Sequence, residues 1–255
     1  MFEAIRLYLL PRRHSALLVA IVVTFAVRPL IGENNLSHAL FSIAVVLLFV
    51  MALYTVQVDD LVGEREALLA QRRRRSIIGW LLALVAVTER VASFLVSSSA
   101  LILAGTIGYL LFFAYITWTL LRSLLRQRDV TGETISMSVS VYLLFGFTWG
   151  LLYVVLFQLD PHAFNLGPST VASGLSPQEP NFPVLIYFSL TTLATVGYGD
   201  ITPLTLQARY ASVAEGIAGQ FYLAILVARL VGMHMSRSIT GSSDSSGDSK
   251  PTPPA

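Results

Sequence analysis

Stretches of about twenty apolar residues recur along this chain, each long enough to cross the hydrocarbon core of a bilayer. Residues 15–31, 39–58, 77–96, 100–121 and 139–159 are such stretches, and a sixth, 204–235, is longer and carries Arg209, Glu215 and Arg229. Of 255 residues, 55% are hydrophobic and 13% charged, about half the charge of an ordinary soluble domain. So little polar surface cannot cover that much apolar volume in water. The chain has no cysteine, which excludes disulfides, thiolate nucleophiles, iron–sulfur clusters and cysteine zinc sites. His14, His38, His162 and His234 are scattered without metal-ligand spacing, and neither a serine nucleophile elbow nor a phosphate loop occurs. These features argue against an enzyme, and no cofactor is expected.

Arginine placement sets the expected orientation. Arg6, Arg12 and Arg13, then Arg65 and Arg72 to Arg75, then Arg122, Arg126 and Arg128 fall in loops on one side, against Arg28 alone in the first opposite loop. Both termini are therefore expected in the cytoplasm of a protein integral to the cell membrane, plasma or inner. The first stretch has the short apolar run of a signal peptide, but its exit at Arg28 and Pro29 lacks a small-residue cleavage pattern, so we read it as a span. The fold class expected is an all-α membrane protein of six transmembrane helices plus a re-entrant helix. It divides into a four-helix membrane domain at 1–135, a pore-like domain at 136–235 and a disordered tail at 236–255, rich in Ser, Gly, Pro and Asp. Gly146, Thr148 and Gly150 would permit close helix contact, although such glycines are also ordinary in membrane helices.

The segment between the last two spans carries the chemistry. Residues 184–194 are apolar but too short to cross, and Asn181 and Pro183 suit a helix start. A half-helix entering from outside ends at mid-membrane with its negative dipole pole, which favours a cation. Residues 195–199 then return as irregular backbone, tolerated at that depth only where it lines a cavity. Gly197 and Gly199 allow left-handed conformations, so successive carbonyls can face the same way and act as hard oxygen ligands for an alkali cation. One ladder cannot surround an ion. Four copies about an axis can, so a homotetramer is expected.

The run Thr195, Val196, Gly197, Tyr198, Gly199 and Asp200, with Thr191 and Thr192 before it and Ile201, Thr202 and Pro203 after it, resembles the signature of the potassium channel family. The helix, half-helix, strand and helix order of 139–235 resembles that family's pore domain. The resemblance implies a passive K+-selective pore. K+ would bind the carbonyls of Thr195, Val196, Gly197 and Tyr198 and the Thr195 hydroxyl, with Gly199 completing the filter and the Val196 and Tyr198 side chains packed behind it. It implies filter support from Asp200, Tyr187, Thr191 and Thr192, with Tyr187 bonding Asp200. It also implies a hinge at Gly219, where a packing glycine is an equal reading. Many family members hold a glutamate where Thr191 stands, so one familiar inactivation network is absent in that form. Leu223, Val227, Val231 and Met235 recur at helical spacing and are candidates for the inner gate, or for lipid-facing positions. Glu215, a carboxylate inside a span, is expected to brace the filter, with Thr191, Thr192 or Arg90 as partner.

Voltage sensing needs repeated cations on a span within the field, and 100–121 has none. Glu89 and Arg90 are adjacent and too few. The pore is therefore expected not to be strongly voltage-gated. Arg72, Arg73, Arg74 and Arg75 in a cytoplasmic loop suit anionic lipid heads, or simply fix topology. The functions set against a channel are a K+ uptake transporter subunit and a non-conducting or regulatory pore subunit.

Overall fold

A computed structural model describes residues 12–31, 35–62, 99–127, 131–167 and 182–244. The helices are α1 (Arg13–Ile31), α2 (Asn35–Val62), α3 (Ser99–Arg126), α4 (Gly132–Leu159), α5 (Phe182–Leu193) and α6 (Leu206–Asp244). Among the described residues, α3, α4 and Leu206–Arg229 of α6 are long and apolar enough to cross a membrane. The apolar segments Arg13–Val27, Ile43–Thr55 and Phe182–Leu193 are shorter. The expected span 77–96, with Glu89 and Arg90, lies outside the described residues, as do Arg72 to Arg75 and the tail from 245 onward.

The described residues are mostly helical, as expected of an all-α membrane protein. One two-residue pairing accompanies the helices: β1 (Phe164–Asn165) pairs antiparallel with β2 (Thr202–Pro203), Phe164 opposite Pro203. Leu204 N–H also donates to Ala163 O at 2.8 Å, so this short pairing satisfies backbone groups on either side of α5. α6 continues to Asp244. No proline interrupts that stretch before Pro251, and a helix already nucleated extends at little cost.

The α3–α4 turn is fixed by local chemistry. Thr131 caps α4: its side chain accepts from Thr134 N–H at 3.2 Å while Thr134 Oγ1 accepts from Thr131 N–H at 3.3 Å. Glu133, in the first turn of α4, also serves α1. Its carboxylate accepts from the His14 N–H at 3.1 Å, the Ser15 N–H at 3.4 Å and the Ser15 hydroxyl. A carboxylate at a helix N-terminus meets orphan donors and a favourable dipole. The starts of α1 and α4 therefore lie at one end of the bundle.

One core joins α1, α2, α3 and α4 through Leu17, Ile21, Leu48, Phe112, Phe113, Ile116 and Phe147. A second sits behind the segment that follows α5, where Tyr153, Phe164 and Phe188 meet edge to face at centroid distances of 5.1 to 5.5 Å. α5 lies in a slot made by glycines of α4. A Cβ on Gly146 would stand 2.7 Å from Leu190 Cδ2, and one on Gly150 would stand 2.9 Å from the Ile186 Cα. The small-residue pattern of α4 is thus a docking surface for α5.

Gly150→Ala should destabilise the detergent-solubilised protein by about 1–3 kcal/mol, because the obstacle is backbone and cannot rotate away. Gly132→Ala, with nothing within 4 Å of its added Cβ, should be neutral or slightly stabilising. Thermal denaturation of the two variants side by side checks this.

Candidate functional site

The helix α5 stops between α4 and α6, and the carbonyls of its last turn are all engaged. Leu190 O accepts from Ala194 N–H at 3.0 Å, and Thr192 O accepts from Thr195 N–H at 3.0 Å. Thr191 O accepts from both Val196 N–H at 2.8 Å and Gly197 N–H at 3.2 Å. Leu193 O accepts from Tyr142 Oη of α4 at 3.2 Å. With those ends closed, the strand starts from a fixed anchor. Thr191 therefore acts through its carbonyl, and its hydroxyl turns back to Phe188 O at 2.9 Å.

Along the strand every second residue has positive φ: Thr195 at 56°, Gly197 at 54° and Gly199 at 79°. Alternating handedness along a backbone points successive peptide groups the same way, so N–H groups share one side and C=O groups the other. Glycine accepts this freely. Thr195 is β-branched, and its left-handed φ is an outlier of a kind that costs roughly 1–3 kcal/mol and persists only where the surroundings dictate it. Thr192 O and Thr191 O, bonded to the N–H groups of residues 195 to 197, are those surroundings.

Above the strand, Tyr187 Oη donates to Asp200 Oδ2 at 2.9 Å, and Asp200 Oδ1 accepts from Ile201 N–H at 3.1 Å. The Tyr187 and Tyr198 rings lie parallel, 3° apart in plane with centroids at 6.5 Å. Packing of Val196 and Tyr198 behind the strand is not met within the chain, since Val196 is 50% and Tyr198 71% exposed. Only Tyr187, on the same chain, backs Tyr198 with a parallel ring.

Behind the strand lies Glu215, fully buried. The expected partners are corrected: Glu215 is held neither by Thr191 nor by Thr192, and Arg90 is outside the described residues. Tyr153 Oη donates to Glu215 Oε2 at 2.6 Å, and the Ser189 hydroxyl bonds the other carboxyl oxygen while lying 2.6 Å from Gly146 O. A buried carboxyl with its oxygens bonded is tolerated where an isolated one is not. The carboxyl thereby joins α4, α5 and α6. Gly219 lies one turn further along α6, and a Cβ there would stand 2.8 Å from Leu193 O. In this conformation Gly219 is a point of close packing. Leu223, Val227 and Val231 are exposed along α6 at 37%, 58% and 52%, and Met235 lies on the same helix.

Tyr142, Tyr153 and Ser189 were not anticipated from the sequence. Their signal was present: each is a hydroxyl inside an otherwise apolar run, and such groups in membrane helices find partners on neighbouring helices.

A half-length helix packed between two long apolar helices is followed by irregular backbone with positive φ at Thr195, Gly197 and Gly199. A family model described as "Ion channel" matches residues 139–235. Protein LctB of Bacillus caldotenax is 32% identical over 101 residues, 39% of this chain and 71% of that protein. The chain belongs to this ion-channel family. Protein LctB of Geobacillus stearothermophilus is 36% identical over 90 residues, 35% of this chain, and the match spans 62% of that protein's length. No solved structure matches the chain.

Tyr153→Phe and Glu215→Ala should each lower thermal stability, by about 1–3 kcal/mol, because each leaves a buried polar group short of a partner. The double variant should lose less than the sum. Strict additivity in a thermal double-mutant cycle would contradict the shared brace.

Proposed function

We propose that this chain is a potassium channel: four copies surround an axis, and K+ passes down its gradient through a filter of backbone oxygens. The observation that carries the reading is the alternation of positive φ at Thr195, Gly197 and Gly199. It turns the carbonyls of Thr195, Val196, Gly197 and Tyr198 toward one side, where four such rows replace the water around a dehydrated cation. The Thr195 hydroxyl supplies the innermost ligand. Asp200 and Tyr187 steady the outer end of the row, the Thr191 and Thr192 carbonyls fix its start, and Glu215 holds the pore helix from behind. Selectivity for K+ rests on the likeness of the Thr195–Gly199 run to the potassium channel signature.

The tetramer is supported by what one chain leaves uncovered. Tyr198, and Tyr210, Val213, Ile217 and Phe221 of α6, are more than half exposed. Neighbouring subunits supply cover for them and close the ring that one row of carbonyls leaves open. On this reading, Leu223, Val227, Val231 and Met235 line the inner half of the pore, and Gly219 is where α6 bends if the mouth moves. Both termini face the cytoplasm, and Arg72 to Arg75 meet anionic lipid heads beside the membrane. Opening does not depend steeply on voltage, because α3 carries no charge between its start and Arg122.

Reconstituted in liposomes, the protein should drive flux under a K+ gradient, be blocked by Ba2+, and pass little Na+. Equal Na+ flux would contradict the filter assignment. Absence of flux would favour a non-conducting subunit, and uptake against a K+ gradient would favour a transporter. Gly197→Ala, which forces an L side chain to φ +54°, should abolish selective K+ flux while the protein still reaches the membrane.

A further inference from the structure

The face of α6 turned toward its own chain carries Glu215, Gly219, Tyr222, Leu226 and Arg229, spaced alternately four and three residues apart. That spacing keeps one stripe facing one neighbour along a helix. The first two residues of the stripe hold the filter end. The far end is tied differently. Tyr222 Oη donates to Ser138 O of α4 at 2.7 Å. Arg229 Nη1 donates to Leu124 O at 2.8 Å, and Nη2 donates to Gln127 O. Leu124 lies in the last turn of α3, and its carbonyl also accepts from Gln127 N–H at 3.2 Å. A cation there is favoured by the dipole, and the planar fork of guanidinium reaches two carbonyls at once.

Gln127, one of the two residues that Arg229 grips, is itself bonded to α4. Thr134 Oγ1 donates to Gln127 Oε1 at 2.8 Å, which ties the turn to the first turns of α4. Further along, the Thr117 and Thr148 hydroxyls lie 3.3 Å apart, and Gln158 Nε2 donates to Thr106 Oγ1 at 3.0 Å. α3 and α4 are thus pinned to each other near both ends and in the middle. Beside Arg229, apolar packing between α6 and this pair is incomplete. A cavity of about 360 Å³ opens there, bordered by Leu121, Leu125, Val141, Phe145, Phe221 and Ile225. Tyr222 and Leu226 pack against the shared core, and the hydrogen bonds of Tyr222 and Arg229 add to that hold.

At 3.6 residues per turn, Val227 and Val231 lie about 140° and 180° around α6 from Tyr222, and Leu223 lies on the flank at about 100°. We propose that Arg229 is a positioning residue for the inner mouth of the pore. It draws the cytoplasmic half of α6 toward the α3–α4 turn, away from the face bearing Leu223, Val227 and Val231, and so favours the conducting state. This rests on the channel reading above. It gives α3, which carries no charge between its start and Arg122, a fixed mechanical role: a rigid anchor for α6, in place of a moving sensor.

The chain has no cysteine, so spin labels can be placed singly. With Leu125→Cys and Val231→Cys labelled, and labelled chains diluted into unlabelled ones, pulsed electron resonance reads the distance between the turn and α6 within one chain. In Arg229→Met the distance distribution should shift or broaden, and in Arg229→Lys it should fall between that and the parent. In single-channel recordings Arg229→Met should lower open probability roughly tenfold or more, the scale expected when two charge-assisted hydrogen bonds are lost from one state. Unitary current and K+ over Na+ selectivity should be unchanged. An unaltered distance distribution, an unaltered open probability, or a change in unitary current would each overturn the assignment. The label distance needs no conduction, so failure of the tie is told apart from failure of the channel reading, which the parent's own flux decides.

Discussion

Everything at the candidate site depends on the fit of one short helix, α5, against the backbones of its neighbours. Gly146 and Gly150 of α4 and Gly219 of α6 let it come so close that a methyl group at any of the three would meet α5 within 3 Å. Glu215, Ser189 and Tyr153 then tie the three helices through one buried carboxyl. In a medium without water, a helix end with unpaired carbonyls is expensive. Here Tyr142 and the N–H groups of residues 194 to 197 meet that demand. Residues 195–199 start from those bonds, and the glycines at 197 and 199 accept the positive φ that follows.

The sequence made the large features readable because they come from coarse physics. Long apolar runs announced α3, α4 and α6. A run too short to cross, with Pro183 at its start, announced α5, which begins at Phe182. Glycines at 197 and 199 announced left-handed backbone. What escaped notice depends on three-dimensional pairing. Glu215 was recognised as a buried acid needing a partner, but the choice among Thr191, Thr192, Ser189 and Tyr153 turns on the rotation of α5 about its own axis. Composition does not specify that angle. The left-handed Thr195 is contrary to the preference of a β-branched residue, so no propensity argument finds it; the local turn bonds to Thr191 O and Thr192 O accompany it.

Between its start and Arg122, α3 carries only apolar and hydroxylic side chains, and Thr106 and Thr117 meet Gln158 and Thr148 of α4. The same helix offers its C-terminal carbonyls to Arg229. The guanidinium of Arg229 is thus spent on a neighbouring backbone, and polar groups among the described residues serve mainly to fix helices against one another. Glu133 does so for α1 and α4, Gln158 for α3 and α4, and Glu215 for α4, α5 and α6.

The central claim is that backbone oxygens of several chains converge on a shared axis and take the place of water around K+. Electron cryomicroscopy of the purified protein in potassium salt tests this most directly. The account predicts four chains about one axis, with a file of density between the rings formed by the carbonyls of Thr195, Val196, Gly197 and Tyr198. A single protomer, or carbonyls of that strand directed away from any symmetry axis, would contradict it.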